Sequence, residues 1–239
     1  MLPSPERRDP RRVRAMFGAI AKTYDLLNRL LSLGFDVRWR RLAVREVAMG
    51  EPGRILDLCG GTGDLTVAAA RAEPAAWVVC CDFAHPMLSR AAPKFRRKGV
   101  ADRCSLVEGD GLRLPFADDS FDAVTVGFGV RNFADRSRGF REILRVLKPG
   151  GRLVILEFST PTGPVFGRLY RLYLNGVLPR IGDATAGHEG PYRYLARTIG
   201  DFPEPPALAG LLRESGFAAA GWKPLTGGVV CVHTAMKGL

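Results

Sequence analysis

Short apolar runs alternate with helical patterns through the middle of the chain, and this alternation predicts the fold class. Five runs of strand length are apolar at most positions, at residues 54–59, 77–82, 104–108, 121–127 and 152–158. Apolar residues recur at helical spacing over 63–73, 85–97 and 135–147. Apolar strands separated by helices are typical of parallel sheets that are covered on both faces. With right-handed crossovers, the pattern predicts an α/β fold with a doubly wound sheet.

The flanking segments predict further elements. From Val13, apolar residues three and four positions apart indicate an amphipathic helix that ends at Gly34. Residues 1–12 are rich in proline and arginine and are predicted to form a disordered basic arm. A second helix is predicted at 38–49, an aromatic-rich helix at 165–178 and a mostly irregular stretch at 179–206. A last helix at 207–215 and a closing hairpin at 217–237 follow.

The composition is that of a globular protein with a strong positive charge. The 239 residues are 46% hydrophobic and 25% charged, which argues against disorder. Lysine and arginine outnumber aspartate and glutamate by 35 to 24, a net charge of +11, and residues 1–50 carry 11 basic and 5 acidic side chains. This bias predicts an anionic partner, either nucleic acid or a lipid surface. An arginine-rich solvated surface explains it equally well.

Other features argue against several classes of protein. No apolar run approaches ~18 residues, so no membrane-spanning helix is predicted, and no secretory signal is recognised. The 5 cysteines include no Cys-x-x-Cys pair and favour buried free thiols in a reducing cytosol. The 3 histidines have no metal-ligand spacing, so no metal site is predicted.

The strongest local motif is a glycine-rich turn between a strand and a helix. Residues 55–65 read ILDLCGGTGDL. Glycines let the backbone approach a ligand, and the start of the helix offers free N–H groups. The dinucleotide fingerprint G-x-G-x-x-G is not met, because Thr66 stands at its third glycine. The turn predicts a ligand site and does not by itself identify the ligand.

Three further motifs follow in order. Asp82 ends the second apolar run, 19 residues after Gly63, where an acid is placed to hydrogen-bond ribose hydroxyls; an ordinary loop aspartate is the alternative. Residues 108–111 read EGDG, and residues 144–151 read LRVLKPGG, a helix stopped before a strand. In this order, the four motifs resemble those of the class I methyltransferases that use S-adenosylmethionine.

This resemblance implies a Rossmann-like, seven-stranded, mostly parallel sheet with its last strand antiparallel, and S-adenosyl-L-methionine as the cofactor. The glycine turn would hold the methionine part, Asp82 the ribose, and Asp110 with Gly111 the adenine edge. The complete set of implied cofactor-binding residues is Gly60, Gly61, Thr62, Gly63, Asp82, Phe83, Asp110, Gly111 and Gly127.

Blocks outside these motifs resemble a narrower family, the quinone-biosynthesis C-methyltransferases, which methylate demethylmenaquinone or 2-polyprenyl-6-methoxy-1,4-benzoquinol. The blocks read VRAMF at 13–17, LSLG at 31–34, FGVRN at 128–132, LEFS at 156–159, YRYL at 192–195 and TGGVV at 226–230. The similarity runs from about residue 13 to residue 237. The chain departs from the family pattern at Cys59, at Gly111 where Ala is common, at Gly127 where Ser is usual, and at His188.

The resemblance implies methyl transfer to a ring carbon of a polyprenyl quinol. This chemistry needs positioning, a base or water relay, and stabilisation of an oxyanion. We hypothesise that Arg131 stabilises the quinolate or orients a water, Asn132 hydrogen-bonds a ring oxygen, and Tyr24 hydrogen-bonds the quinol. A surface ion pair is the alternative for Arg131, and a core aromatic for Tyr24. Weaker candidates, each also explained as structural, are Asp25, Glu157, His188 and His233.

We expect a single domain over residues 1–239. Within it, residues 13–50 would form an N-terminal helical lid, residues 54–158 the core that binds the cofactor, and residues 159–239 a substrate-side helix and the closing hairpin. The predicted helix over 165–178 fits either an interfacial helix or one that packs on the sheet edge.

A quinol with a long apolar tail makes a lipid surface the favoured explanation of the charge, with no nucleic-acid partner. The expected location is cytoplasmic, with peripheral contact at the inner face of the cell membrane, and the oligomeric state is open, a homodimer included. Demethylmenaquinol is favoured over the benzoquinol because the arginine-rich composition indicates a GC-rich genome, and bacteria with such genomes often rely on menaquinone. An RNA methyltransferase, a nicotinamide oxidoreductase and a non-catalytic cofactor-binding protein are the alternatives.

Overall fold

A seven-stranded sheet organises the structure, a computed structural model that describes residues 9–47, 53–161, 163, 167, 168, 170, 172, 176 and 191–239. The strands are β1 Arg54–Leu58, β2 Trp77–Asp82, β3 Cys104–Glu108, β4 Phe121–Gly127, β5 Leu147–Phe158, β6 Ala219–Leu225 and β7 Val230–Met236. They lie in the order 3-2-1-4-5-7-6, with β1 to β5 parallel and β7 antiparallel between β5 and β6. The predicted doubly wound sheet is therefore confirmed.

Helices cover both faces of this sheet and its carboxyl edge. They are α1 Pro10–Ile20, α2 Tyr24–Leu31, α3 Phe35–Arg45, α4 Asp64–Ala72, α5 His85–Lys98, α6 Arg136–Val146, α7 Pro191–Gly200 and α8 Pro205–Glu214. None of the described helices has the length and apolar content needed to cross a bilayer.

Two apolar layers hold the helices on the sheet, because alternate strand residues point to opposite faces. One layer joins Ile55, Val78 and Val154 to side chains of α3, α4 and α5. The other joins Leu56 and Val124 to side chains of α6 and α8. The central strands are buried on both sides, which explains their almost continuous apolar sequence.

The N-terminal segment differs from its prediction in two ways. Helix α1 begins at Pro10, inside the predicted arm, because the Asp9 carboxylate caps it by accepting from the Arg11 N–H at 2.9 Å. The single helix predicted from Val13 to Gly34 is wrong, since a turn over 21–23 separates α1 from α2. This turn places Tyr24 edge-on to Phe17, with ring centroids 6.0 Å apart, against the body of the protein.

The C-terminal third holds one helix that the sequence pattern missed. Helix α7 lies within the stretch predicted as mostly irregular, and its buried Ala196 and Ile199, three positions apart, face the protein interior. The closing hairpin is confirmed as β6 and β7, joined through a turn at Thr226–Gly228. Most of the predicted helix over 165–178, and His188, lie outside the described residues.

Candidate active site

A pocket lies at the carboxyl edge of the parallel strands, under the two N-terminal helices. It encloses about 750 Å³ of space, part of it open to solvent. The turn after β1, the ends of β2 and β4, and the loop after β3 form its floor and sides, while α1 and α2 form its cover. Its lining includes Val13, Phe17, Tyr24, Gly61, Asp82, Phe83, Met87, Asp110, Gly111, Gly127, Phe128, Asn132 and Phe133. Open α/β sheets bind ligands at this position.

The glycine turn has a left-handed backbone that favours glycine, the residue without a β-carbon. Cys59, Gly61 and Gly63 have positive φ values of 57°, 56° and 82°, and a β-carbon at Gly63 would overlap the ring of Phe95. Helix α4 starts directly afterwards, at Asp64. The turn therefore brings the backbone of Gly61 to the pocket, two residues before the cap of α4 at Gly63.

Asp82 connects the end of β2 to this turn. Its carboxylate accepts from the backbone N–H of Gly61 at 2.9 Å and of Ala84 at 2.8 Å. Burial raises the pKa of Asp82 above its usual value, and these backbone hydrogen bonds oppose the shift. Each carboxylate oxygen keeps a further lone pair, so Asp82 can also accept from ligand hydroxyls in the pocket.

A second buried carboxylate lies below the turn, and the sequence reasoning missed it. Asp57 accepts from the hydroxyls of Thr66 at 2.6 Å and Thr125 at 2.9 Å. Burial raises its pKa to about 6. These contacts tie β1 to α4 and β4, so Asp57 supports the turn from beneath and does not line the pocket. The signal available in the sequence was a single acid inside the apolar run ILDL at 55–58.

A network of charged side chains joins the N-terminal helices to the turn. The Nζ of Lys94 lies 2.6 Å from Asp25 Oδ2 and 2.5 Å from Asp64 Oδ1, and it donates to Thr62 Oγ1 at 3.0 Å. The Thr62 hydroxyl in turn donates to Asp25 at 2.5 Å. Burial opposes ionisation of Asp64, but Arg40 and Lys94 outweigh it and hold its pKa below the usual value. Lys94 was not a sequence candidate.

Two of the three catalytic candidates line the pocket. Burial raises the pKa of Tyr24 above its usual value, although the positive charges of Arg131 and Arg40 oppose the shift. The phenol therefore keeps its proton at neutral pH and can donate a hydrogen bond. Asn132 accepts from the Tyr194 hydroxyl at 2.9 Å. This contact fixes the amide and leaves its N–H₂ group as the donor towards the pocket.

Arg131 lies behind the lining rather than in it. Its Nη1 donates to Glu157 Oε1 at 2.9 Å and to the carbonyl of Phe128, and its guanidinium lies over the Phe158 ring. Its Nε is buried with no hydrogen-bond partner among the described residues. The backbone N–H of Arg131 also donates to Glu157, at 3.3 Å. The structure thus brings Glu157 and Arg131 together as a buried ion pair next to the pocket.

The remaining candidates are placed as follows. Of the implied cofactor set, Gly60, Thr62 and Gly63 shape the turn, and the other six residues line the pocket. Asp25 belongs to the charged network, on the outer side of Thr62. His233 is buried in β7, outside the lining, and its Nδ1 has no hydrogen-bond partner among the described residues. The 5 cysteines are unpaired.

The residues fit an adenosyl sulfonium cofactor. A β-carbon at Gly109 would lie 2.9 Å from Cys81 Sγ, so the loop after β3 approaches the sheet closely, and it lines the pocket together with Phe83. An acid at the end of β2, the helix start that follows the turn and an aromatic wall match the ribose, the carboxylate and the base of such a ligand.

Solved structures share this fold at low sequence identity. A SAM-dependent methyltransferase from Aquifex aeolicus superposes with a TM-score of 0.66 at 15% identity and covers 92% of this chain and 97% of its own. A SAM-dependent methyltransferase from Thermotoga maritima gives a TM-score of 0.64 at 18% identity and covers 93% of this chain and 98% of its own. These similarities show the class I methyltransferase fold.

Sequence relatives are much closer. A demethylmenaquinone methyltransferase from Thermus thermophilus is 49% identical over 218 residues, which are 91% of this chain and 98% of the relative. A ubiquinone/menaquinone biosynthesis C-methyltransferase from a Geobacter species is 44% identical and is matched over 95% of this chain and 96% of its own. The model of the ubiE/COQ5 methyltransferase family matches residues 6–237. The chain therefore belongs to the ubiE/COQ5 methyltransferase family.

Proposed function

We propose that this S-adenosylmethionine-dependent methyltransferase methylates a ring carbon of demethylmenaquinol and so forms menaquinol. The names of the Thermus and Geobacter relatives support a quinol acceptor. The observation that carries the proposal is one pocket in which Tyr24 and Asn132 accompany the glycine turn and Asp82. Hydrogen-bond donors for a quinol oxygen thereby share a space with groups suited to the cofactor.

The two ends of the pocket have different tasks. Gly61, Asp82, Phe83 and Asp110 would hold the cofactor, which when bound supplies an electrophilic methyl group. The protein's contribution is position, because in-line attack requires the ring carbon to lie close to that methyl group in a fixed orientation. The Val13 and Phe17 side chains on α1 give the pocket an apolar cover, which keeps water from the side that they close.

The quinol end of the pocket supplies donors for the developing quinolate. The N–H₂ group of Asn132, fixed by Tyr194, donates to one ring oxygen, and the protonated phenol of Tyr24 donates to the same oxygen or its neighbour. Both contacts strengthen as negative charge develops on the oxygen before the ring carbon attacks. Neither group needs to change its protonation state to do this.

Arg131 acts from behind this pair. Its ion pair with Glu157 holds the turn at Val130–Asn132, and its positive charge favours a quinolate nearby. Its buried Nε–H has no partner among the described residues. The proton that the ring carbon loses after methyl transfer would pass to water in the part of the pocket that is open to solvent.

A methyl-transfer assay tests the acceptor directly. The purified protein would be incubated with S-adenosylmethionine carrying a labelled methyl group and with reduced demethylmenaquinone, the reduced benzoquinone or bulk RNA. We expect label in the naphthoquinol, at a rate well above that for the benzoquinol. Label mainly in the benzoquinol would assign the protein to ubiquinone synthesis. Label in RNA alone would refute a quinol acceptor.

We propose in addition that exposed side chains of α2, α3 and the turn between them contact an anionic membrane surface. Leu26 on α2, Leu33 in the turn and Phe35 on α3 are exposed, and so are Arg38 and Arg41 of α3. Apolar side chains flanked by arginines are typical of interfacial segments. Flotation with phosphatidylglycerol vesicles should carry the protein upward, and phosphatidylcholine vesicles should not; equal behaviour with both would refute the idea.

A further inference from the structure

Lys94 occupies a position that the proposed chemistry does not use, and its surroundings are unusual for a lysine. Its side chain is only 6% exposed, and its three N–H donors meet Asp25, Asp64 and Thr62. An ammonium group has three donors, so this one is fully satisfied. A buried lysine is kept charged only by such compensation. The cluster is therefore a built feature rather than a solvated surface pair.

The three partners belong to parts of the molecule that differ in role. Asp64 is the first residue of α4, Thr62 lies in the glycine turn, and Asp25 is on the lid helix α2. Asp25 follows Tyr24, whose side chain lines the pocket. Lys94 itself belongs to α5, which forms part of the body. One ammonium group thus ties the cover of the pocket to the turn on its floor.

The cluster is asymmetric in a way that allows the lid half to open. Asp64 is 26% exposed and also lies 3.6 Å from Arg40, whereas the side chain of Asp25 is 45% exposed. When α2 moves away, Lys94 keeps Asp64 and Thr62 as partners, and water reaches Asp25. Opening therefore strands no buried charge, and its cost stays within the range of a partly exposed ion pair.

Among the described residues, few other contacts hold the two lid helices on the body. The apolar contact consists of Ala21, Phe17 and Tyr24 against Ala84, Met87 and Phe83. On α1, Arg14 pairs with the exposed Glu108 at the end of β3, and on α2 the Nε of Arg29 lies 3.3 Å from Asp36 Oδ1 of α3. A small apolar contact with a few ion pairs around it is the arrangement of a hinged cover, in which polar contacts help to set the closed fraction.

We propose that Lys94 is a positioning residue that latches the lid. Its contact with Asp25 keeps α2, and hence Tyr24, closed over the cofactor, and release of this contact opens the pocket for exchange. The inference rests on the proposed function in one respect, that the pocket under the lid is the cofactor site. It requires that S-adenosylmethionine or its demethylated product be bound there, whatever the acceptor is.

The test measures how fast S-adenosylhomocysteine leaves the protein. Asp25→Asn removes the charge on the lid side and leaves the contacts of Lys94 with Asp64 and Thr62 intact, so the body should fold unchanged. We expect its dissociation rate in stopped-flow fluorescence to rise about fivefold to tenfold, the change expected for one charge-assisted contact. Lys94→Met should show at least the same increase. Lys98→Met, on the exposed last turn of α5, is the matched control and should leave the rate unchanged.

Salt dependence separates a latch from a merely structural role. Raising sodium chloride from 0.05 M to 0.5 M should speed dissociation from the native protein more than from Asp25→Asn, in which only the Arg14–Glu108 and Arg29–Asp36 pairs of the lid remain to be screened. An Asp25→Asn rate within twofold of native, or the same salt dependence in both proteins, would overturn the proposal. Since no quinol is present, a failure of the quinol assignment leaves this result unaffected.

Discussion

Two buried groups near the sheet should give the free energy of unfolding opposite dependences on pH. Burial lowers the pKa of His233 to about 4, from an ordinary value of 6.5, and burial raises the pKa of Asp57 to about 6, from 3.8. His233 is neutral in the folded protein, so the unfolded chain binds more protons between pH 4 and 6.5. Stability from His233 is therefore lost as the pH falls through this window.

Asp57 behaves in the opposite sense. Its folded-state pKa lies above the unfolded value, so the folded protein binds more protons between pH 3.8 and 6. Its contribution to stability is present at low pH and is lost as the pH rises through 6. The two groups therefore oppose each other across the mildly acidic range.

The magnitudes follow from the size of the shifts. One pKa unit corresponds to about 1.4 kcal/mol. Lowering the pH from 8 to 5 should cost about 2 kcal/mol through His233 and return about 1.4 kcal/mol through Asp57. The native protein should show little net change from this pair, because the two contributions nearly cancel.

Single variants separate the two contributions. Urea denaturation followed by circular dichroism would be carried out at pH 8 and pH 5 on the native protein, His233→Gln and Asp57→Asn. On going from pH 8 to pH 5, the unfolding free energy of His233→Gln should rise by about 2 kcal/mol relative to that of the native protein. The unfolding free energy of Asp57→Asn should fall by about 1.4 kcal/mol relative to native over the same change. A general loss of packing cannot shift the two variants in opposite directions. Equal pH dependence of all three proteins would refute the reasoning.

Three further substitutions, one of them with a matched control, test the site. Gly63→Ala should lower the unfolding free energy by about 2 kcal/mol or more, since its φ is +82° and an aromatic ring fills the space. The control Gly99→Ala, with φ +68° and no neighbour within 4 Å, should lower it by less. Urea denaturation measures both changes. Gly127→Ser should tighten S-adenosylmethionine binding roughly fivefold in calorimetry, because a leucine methyl 2.9 Å away can move and the hydroxyl enters the pocket; weaker binding would contradict this. Tyr194→Phe should lower kcat about tenfold without changing the KM for S-adenosylmethionine, and an unchanged kcat would contradict the role given to its hydrogen bond.

The sequence predicted the sheet well because each central strand reports its own burial. The runs at 77–82, 104–108 and 121–127 match β2, β3 and β4 residue for residue. Local pattern could not show the break between α1 and α2, since the apolar spacing continues through residues 21–23 while the chain turns. Helix α7 was missed because its start at Pro191 follows a long stretch of turn-forming residues.

The candidate site likewise has residues that the sequence could predict and residues that it could not. Asp82 and the glycine turn were predictable because their roles depend on the strand ends that carry them. Lys94 was not, because its partners lie about 30 and 70 positions away and meet it only after the sheet and lid assemble. The position of Arg131 behind the lining likewise depends on Glu157, on the neighbouring strand, which no spacing along the chain indicates.

The contact between Trp39 and the hairpin turn has a consequence for synthesis of the chain. The indole N–H of Trp39 donates to the Thr226 hydroxyl at 2.8 Å, across 187 residues of sequence. On the ribosome, α3 emerges well before this partner, which appears only with the hairpin of β6 and β7. Helix α3 therefore cannot adopt its complete native contacts until this hairpin has been translated. Nascent chains that end before the hairpin should hold the cofactor core without a properly seated α3.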